Sequence, residues 1–331
     1  MTIENKIKIL FKCYTGRDAE KVEMLPTWET ERKYYRFYSG EKTCIGVYHE
    51  NWQENKLFID FTRHFKAKEL HVPEVYQMAD DCLSYLQQDL GGQTLYDAER
   101  EQVNDLYQKA LKELVRFQVL GHEGLDYSCC LQRQAFDERY IRWDLNYFKY
   151  CFLRLAGIDM DENKLENDFD RLVGGILRTN MNYFMFRDFQ PRNIIIQDGE
   201  VYFINYQKGC RGPLQYDVAS LLYDIMVQIP NEQKEELLEY YIEELGHYAP
   251  GEVTGFRELY YPIVLVRLLQ MMGTLGLRGL HGLEHRFSTP IIPGLQEILY
   301  LFKNGKLGED YPELQRVINM AFYTYFEPLP F

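Results

Sequence analysis

The chain has 331 residues, enough for one or two domains with buried cores. Hydrophobic residues make up 46% and charged residues 26%, which is typical of a globular protein and excludes fibrous and disordered classes. The net charge of -13 repels phosphate backbones and anionic membranes, so we expect no nucleic acid and no membrane partner. The seven cysteines contain no C-x-x-C pair, which is typical of reduced thiols in a cytoplasmic protein.

Two apolar segments are candidates for a signal peptide or a membrane span. Residues 1–14 hold an apolar stretch of only about three residues between lysines, too short for the core of a signal peptide. The richest apolar stretch, residues 260–277, is interrupted by Pro262 and Arg267, so we do not expect it to span a membrane. The sequence therefore predicts a soluble, cytoplasmic protein.

The N-terminal part of the chain has the pattern of a small sheet with one helix. Strands are predicted from β-branched and aromatic residues at 33–38, 43–48, 72–76 and 83–86. A helix is predicted at 54–65, where Leu57, Phe58, Phe61 and Phe65 share one face.

Beyond Gly92 the apolar period changes from about two to about 3.6 residues. Helices are predicted over residues 97–120, 136–156, 165–178, 214–228, 232–245 and 254–277. One hairpin interrupts them, with strands at 194–197 and 201–204 around the turn at 198–199. The sequence therefore predicts an α+β fold, with a small antiparallel sheet followed by a larger helical part.

The predicted hairpin brings polar side chains to its open end. A two-residue turn pairs Asn193 with Ile204, so Asn193 and Asn205 lie as diagonal neighbours. Asp188 precedes Asn193 on the same segment. Such buried polar groups need hydrogen-bond partners or a ligand, which favours a functional site. A structural turn is the alternative, because Asp and Asn are common in turns and caps.

Three segments in this region carry a joint pattern: FRDFQPRN at 186–193, YFINYQ at 202–207 and GPLQYDVASLLYD at 212–224. Together they resemble the aminoglycoside phosphotransferase family, and within it most closely the bacterial N-acetylmuramate/N-acetylglucosamine anomeric kinases. The resemblance implies a two-lobed protein-kinase-like fold. Its parts would be a nucleotide-clamping lobe at residues 1–88, a hinge at 89–92 and a helical lobe at 93–331.

The resemblance also implies roles for single residues. Asp188 would accept or orient the proton of the acceptor hydroxyl, and Asn193 and Asn205 would hold Mg²⁺ on the phosphates of ATP. Asp217 and Arg187 would support the catalytic loop. The nucleotide would be bound by Gln88, Asp89, Leu90, Arg32 and Arg36. The acceptor pocket would be lined by Asp144, Gln190 and Arg192.

Three departures from the family pattern weaken the expected nucleotide chemistry. Asn205 stands where the fold usually has a metal-binding Asp, which keeps an oxygen ligand and removes its charge. Residues 27–32 contain no glycine to cradle phosphates with backbone amides. The strand end at 47–50 lacks the usual phosphate-pairing Lys, so Arg32 or Arg36 would replace it.

The sequence thus predicts an ATP- and Mg²⁺-dependent phosphotransferase that acts on a hydroxyl of an amino sugar or related small metabolite. The neutral Asn205 and the glycine-free loop favour an alternative, a catalytically impaired pseudokinase that binds nucleotide or sugar as a sensor or partner protein. A helical interaction protein without a ligand is the third possibility.

Overall fold

The computed structural model describes residues 2–26, 31–40, 42–99 and 103–326. Within these ranges the helices are α1 Ile3–Thr15, α2 Trp52–Ala67, α3 Val103–Val119, α4 Glu138–Phe148, α5 Glu162–Ile176, α6 Leu214–Leu222, α7 Asn231–Tyr248, α8 Phe256–Leu275, α9 His285–Ser288, α10 Ile291–Lys303 and α11 Pro312–Phe326. The strands are β1 Lys21–Leu25, β2 Lys33–Ser39, β3 Lys42–Tyr48, β4 Val75–Met78, β5 Ser84–Gln88, β6 Tyr183–Met185, β7 Ile194–Gln197, β8 Glu200–Phe203 and β9 Cys210–Gly212. The predicted α+β class is confirmed.

The chain forms two compact units, and the first comprises residues 1–134 and 191–209. It contains an antiparallel sheet with the strand order β1-β2-β3-β5-β4. The strands predicted at 33–38 and 43–48 are confirmed and form an antiparallel hairpin, because β2 pairs with β3 from Lys33 opposite Tyr48 to Ser39 opposite Lys42. The lobe boundaries at residues 88 and 92 describe a functional division and stay a prediction.

Helix α1 and strand β1 of the first unit were not predicted. Helix α1 begins after Thr2, whose hydroxyl caps it, and buries Ile7, Leu10 and Phe11. The three residues have the i, i+3, i+4 spacing of one helical face and pack against Phe37 of the sheet. This spacing is the sequence signal for the helix. Strand β1 is half exposed at one edge of the sheet and has no such apolar pattern.

The second unit comprises residues 135–190 and 210–331 and is built around α8. Helices α4, α5, α6 and α10 all pack against α8. The helix predicted over residues 254–277 is confirmed as α8, and Pro262 and Arg267, which interrupt its apolar run, both lie inside it. Among the described residues, the segment Phe256–His281 is long and apolar enough to cross a membrane, although 67% of its apolar window is buried within the protein.

The predicted helical segments are confirmed with changed ends. Helix α6 ends at Leu222 rather than at residue 228, and α3 begins at Val103 rather than at 97. The 136–156 segment comprises α4 followed by a π-helical stretch, Lys149–Leu153. Strands β6 and β9 and helices α10 and α11 were not predicted. The two strands have three residues each, too few to show a period.

Gly276, directly after α8, lies against the π-helical stretch that follows α4. A Cβ atom at this position would overlap the carbonyl oxygen of Cys151 and lie 2.7 Å from Cα of Phe152. Both obstacles are backbone atoms, which cannot move aside as a flexible side chain can. The close approach therefore requires glycine.

Gly276→Ala should lower the free energy of unfolding by at least about 1–3 kcal/mol, because overpacking forces the backbone to shift. Gly174→Ala is the matched control, since a Cβ there meets nothing within 4 Å and its helix α5 is regular. That control should stabilise by roughly 0.5–1 kcal/mol. Urea unfolding of both variants measures the difference, and equal midpoints would contradict the inferred contact.

Candidate active site

The loop that carries Asp188 is held by the buried carboxylate of Asp217. Asp217 lies on α6 and is fully buried. Its carboxylate accepts hydrogen bonds from the backbone N–H groups of Phe186, at 2.8 Å, and Arg187, at 3.2 Å. A buried carboxylate requires such donors, so these bonds fix the loop backbone directly before Asp188.

Arg187 has a φ of 75°, a left-handed conformation that is strained for a residue with a long side chain. Its guanidinium donates to both carboxylate oxygens of Asp144 and to the Tyr216 hydroxyl. It also lies 4.4 Å from the ring centroid of Tyr140, at cation–π distance. Burial raises the pKa of Tyr216, so the phenol stays neutral. The side chain thus anchors the strained residue to α4 and α6.

Asp188 is 39% exposed, which leaves its carboxylate accessible. Its Oδ1 accepts a hydrogen bond from Nε2 of Gln190, two residues later. The same oxygen lies 3.7 Å from Nη2 of Arg267 on α8. Gln190 was predicted in the acceptor pocket, whereas Arg267 was not predicted in the site. A carboxylate oriented in this way can act as a base toward a hydroxyl.

In the first unit, Asn193 and Asn205 meet at the open end of the β7–β8 hairpin. The Ile204 N–H donates to the Asn193 carbonyl at 3.1 Å, and Nδ2 of Asn205 donates to Oδ1 of Asn193 at 2.7 Å. The predicted pairing of the two amides is confirmed. Asn205 has a φ of 63°, a conformation that Asn tolerates better than most residues.

The donor set at this hairpin consists of neutral amide oxygens, which are hard ligands that suit Mg²⁺. In the described part of the chain, no group of three or more His, Cys, Asp or Glu residues is placed to hold a metal ion. Because the two amides carry no charge, they fit a cation that brings most of its anionic ligands with it, such as the phosphates of a nucleotide.

A buried polar cluster of the first unit surrounds Glu54 on α2. Arg32 is 3% exposed, and its Nη2 binds Oε1 of Glu54 at 2.9 Å. The same oxygen accepts from Nε2 of Gln207 at 3.1 Å. Burial by itself raises the pKa of Glu54, but the hydrogen bond and charge of Arg32 bring it below its ordinary value. Arg32 is therefore linked through a carboxylate to the segment that carries Asn205.

Glu54 and Gln207 were not predicted as site residues. Their signal in the sequence is weak, because a Glu in the first turn of a helix is common for electrostatic reasons alone. Oε1 of Gln207 and Nδ1 of His49 are buried without a hydrogen-bond partner among the described residues. Buried polar atoms without a partner are uncommon in folded proteins.

The remaining predicted nucleotide residues lie at the end of β5. Arg36 binds Asp89 with two hydrogen bonds, of 2.7 and 3.0 Å, and also donates to the carbonyl of Gly91. Oε1 of Gln88 accepts from the N–H of Glu74, and Leu90 is buried. Two of the predicted nucleotide-binding side chains thus bind each other.

Three further predictions concern the acceptor pocket and the phosphate loop. Asp144 is buried and bound by Arg187, which favours a supporting role over direct contact with an acceptor. Arg192 lies in the short 3₁₀ turn Pro191–Asn193 of the first unit. The glycine-free loop at 27–32 falls largely outside the described residues, because 27–30 are not among them.

Comparison with known proteins identifies the family of the chain. A sequence profile for a family described as "Phosphotransferase enzyme family" matches residues 50–255. N-acetylmuramate/N-acetylglucosamine kinase of Pseudomonas aeruginosa is 25% identical over 229 residues, which cover 67% of this chain and 65% of that protein. The protein of the same name from Neisseria meningitidis is 24% identical over 200 residues, 58% of each chain. The alignments thus span less than two thirds of these relatives.

Solved structures show the same fold. Choline kinase from Cryptosporidium parvum superposes with a TM-score of 0.64 at 11% identity and covers 96% of this chain and 100% of its own. An amicoumacin kinase in complex with AMP-PNP, Ca²⁺ and Ami gives a TM-score of 0.62 at 14% identity and covers 95% of this chain and 97% of its own. Since the profile covers more than half of the chain and the fold is that of these kinases, the chain belongs to the phosphotransferase enzyme family.

Proposed function

We propose that this protein is an ATP- and Mg²⁺-dependent kinase that phosphorylates a hydroxyl of an amino sugar or a closely related small metabolite. The observation that carries the proposal is the accessible Asp188 carboxylate on a loop whose backbone is fixed by buried Asp217. The names of the two relatives, N-acetylmuramate/N-acetylglucosamine kinases, support the amino-sugar class.

Phosphoryl transfer requires positioning and charge neutralisation more than covalent chemistry by the protein. Asp188 would accept the proton of the acceptor hydroxyl while the hydroxyl oxygen bonds to the γ-phosphorus of ATP, the bridging bond to the β-phosphate breaks and ADP leaves. Asn193 and Asn205 would hold Mg²⁺, which neutralises phosphate charge when bound. Gln190 orients Asp188 and belongs to the proposed acceptor side, and Asp144 supports that side through Arg187.

Of the two arginines predicted to bind the nucleotide, Arg32 is the one linked to the proposed metal ligands. Its partner Glu54 also binds Gln207, two residues after Asn205, so Arg32 belongs to the same cluster as the proposed metal ligands. Arg36 is held by Asp89 in the segment that we propose as the hinge. The backbone of residues 88–90 would then contact the adenine.

A protein that binds nucleotide or sugar without turnover is the second candidate. The observation that favours it is the neutral Asn205 side chain. Its amide N–H donates a hydrogen bond to Oδ1 of Asn193, and it brings no charge to a metal. Phosphotransfer to a panel of amino sugars separates the two functions, since turnover excludes the pseudokinase.

ATP with Mg²⁺ at 100 times its dissociation constant should raise the free energy of unfolding by about 2.7 kcal/mol. Arg32→Met should reduce this nucleotide-dependent increase, because it removes the buried cation beside Glu54. Arg63→Met, at an exposed position on α2, is the control and should keep the full increase. Thermal-shift assays measure the melting temperatures of the wild type and both variants with and without nucleotide. An unchanged melting temperature of the wild type at millimolar ATP would contradict both kinase-like functions.

Asp188→Asn should lower the turnover number by roughly 10²- to 10⁴-fold, the usual effect of losing a positioned base. The dissociation constant for ATP should stay nearly unchanged, since the amide keeps the shape of the side chain. Asp170→Asn removes an exposed carboxylate on α5 and serves as the control. Steady-state kinetics on the best amino sugar decide the point, and a fully active D188N would remove Asp188 from the mechanism.

Asn205→Asp should lower the Mg²⁺ concentration required for half-maximal turnover, because a carboxylate binds the ion more tightly than an amide does. Asn193 can turn its amide to donate to the new carboxylate, so the hairpin should keep its fold. A magnesium titration of both proteins at saturating ATP measures the effect. Full wild-type turnover at low Mg²⁺, with no gain in the variant, would show that other groups hold the metal.

A further inference from the structure

Arg267 on α8 is a buried cation that the mechanism above does not use. It is 5% exposed, and its Nη2 lies 3.7 Å from Oδ1 of Asp188. Across the described ranges of the chain, Asp188 is the one carboxylate within ion-pair distance of Arg267. A buried guanidinium is stable only where its charge and its donors are compensated. The charge of Arg267 is therefore compensated at the carboxylate of the proposed base.

Two neutral groups fix the direction of this guanidinium. Nε of Arg267 donates to Oγ of Ser220 at 2.9 Å, and Nη1 donates to Oε1 of Gln270. Because the guanidinium is planar and rigid, holding Nε and Nη1 also sets where Nη2 points. A lysine at this position has a single flexible ammonium group and could not satisfy the same three directions at once.

Ser220 connects this arrangement to the loop. It lies on α6 one turn after Asp217, which binds the loop backbone at Phe186 and Arg187. Helix α6 thus holds the loop directly through Asp217, and holds the Asp188 side chain through Ser220 and Arg267. Gln190 also contacts Asp188, but it belongs to the same loop and moves with it. Arg267 contacts Asp188 from outside the loop.

We propose that Arg267 is a positioning residue that orients the Asp188 carboxylate toward the acceptor hydroxyl and compensates its charge. The inference rests on the proposed function, in which Asp188 is the base. Arg267 acts through Asp188 and does not itself touch the acceptor. Its loss should therefore affect the turnover number more than the KM for ATP.

Kinetics of Arg267→Met, Arg267→Lys and Ser220→Ala test the proposal. Arg267→Met should lower the turnover number by about 10- to 100-fold, the loss typical of misplaced catalytic groups. Arg267→Lys keeps the positive charge and should recover part of the lost turnover number. Ser220→Ala should lower turnover by a smaller factor, and the KM for ATP should stay within about twofold throughout. Arg257→Met, at an exposed ion pair on the same helix, should leave turnover unchanged.

A double-mutant cycle separates positioning from general destabilisation. If Arg267 acts through Asp188, Arg267→Met should cause no further loss when Asp188 is already Asn. An equal loss in both backgrounds would overturn the proposal, as would wild-type turnover of the single variant. Should Arg267→Met not fold, the same cycle with Ser220→Ala gives the answer, and an unchanged turnover number for Ser220→Ala overturns the proposal. A wild-type protein inactive on every sugar would overturn the proposed function and this inference together.

Discussion

The loop that carries Asp188 depends on one interaction, the pair of hydrogen bonds that the buried Asp217 carboxylate accepts from the loop backbone. One of the two donors belongs to Arg187, whose left-handed backbone costs of order 1–3 kcal/mol. The same residue is held at its other end by Asp144 on α4. Because both its backbone and its side chain are hydrogen-bonded, Arg187 is held in one conformation. That conformation sets the direction of the next residue, Asp188.

The hairpin and its two amides could be predicted from the sequence because they depend on local rules. A two-residue turn sets the register, and the register places Asn193 beside Asn205. The partners of Arg32 and Asp188 could not be predicted in this way. Glu54 and Arg267 reach them only through the packing of α2 and α8, and no short-range pattern encodes that packing.

Helix α8 shows how a residue-type rule fails for a physical reason. General rules disfavour Pro262 and Arg267 within this predicted helix, since a proline lacks an N–H group and a charge avoids the core. The helix nevertheless continues through both residues. Arg267 is tolerated because Ser220, Gln270 and Asp188 compensate it. A charged residue that interrupts an apolar pattern is therefore as much a sign of an internal partner as of solvent exposure.

The distribution of charge in the first unit constrains how it can meet a nucleotide. The guanidinium of Arg32 is already balanced by Glu54, and that of Arg36 by Asp89. Asn193 and Asn205 are neutral, and the chain as a whole carries a net charge of -13. These side chains therefore offer little uncompensated positive charge to a polyphosphate. If ATP binds here, most of the neutralisation has to come from the divalent cation that accompanies it, which makes the protein's role at the phosphates one of orientation more than of charge.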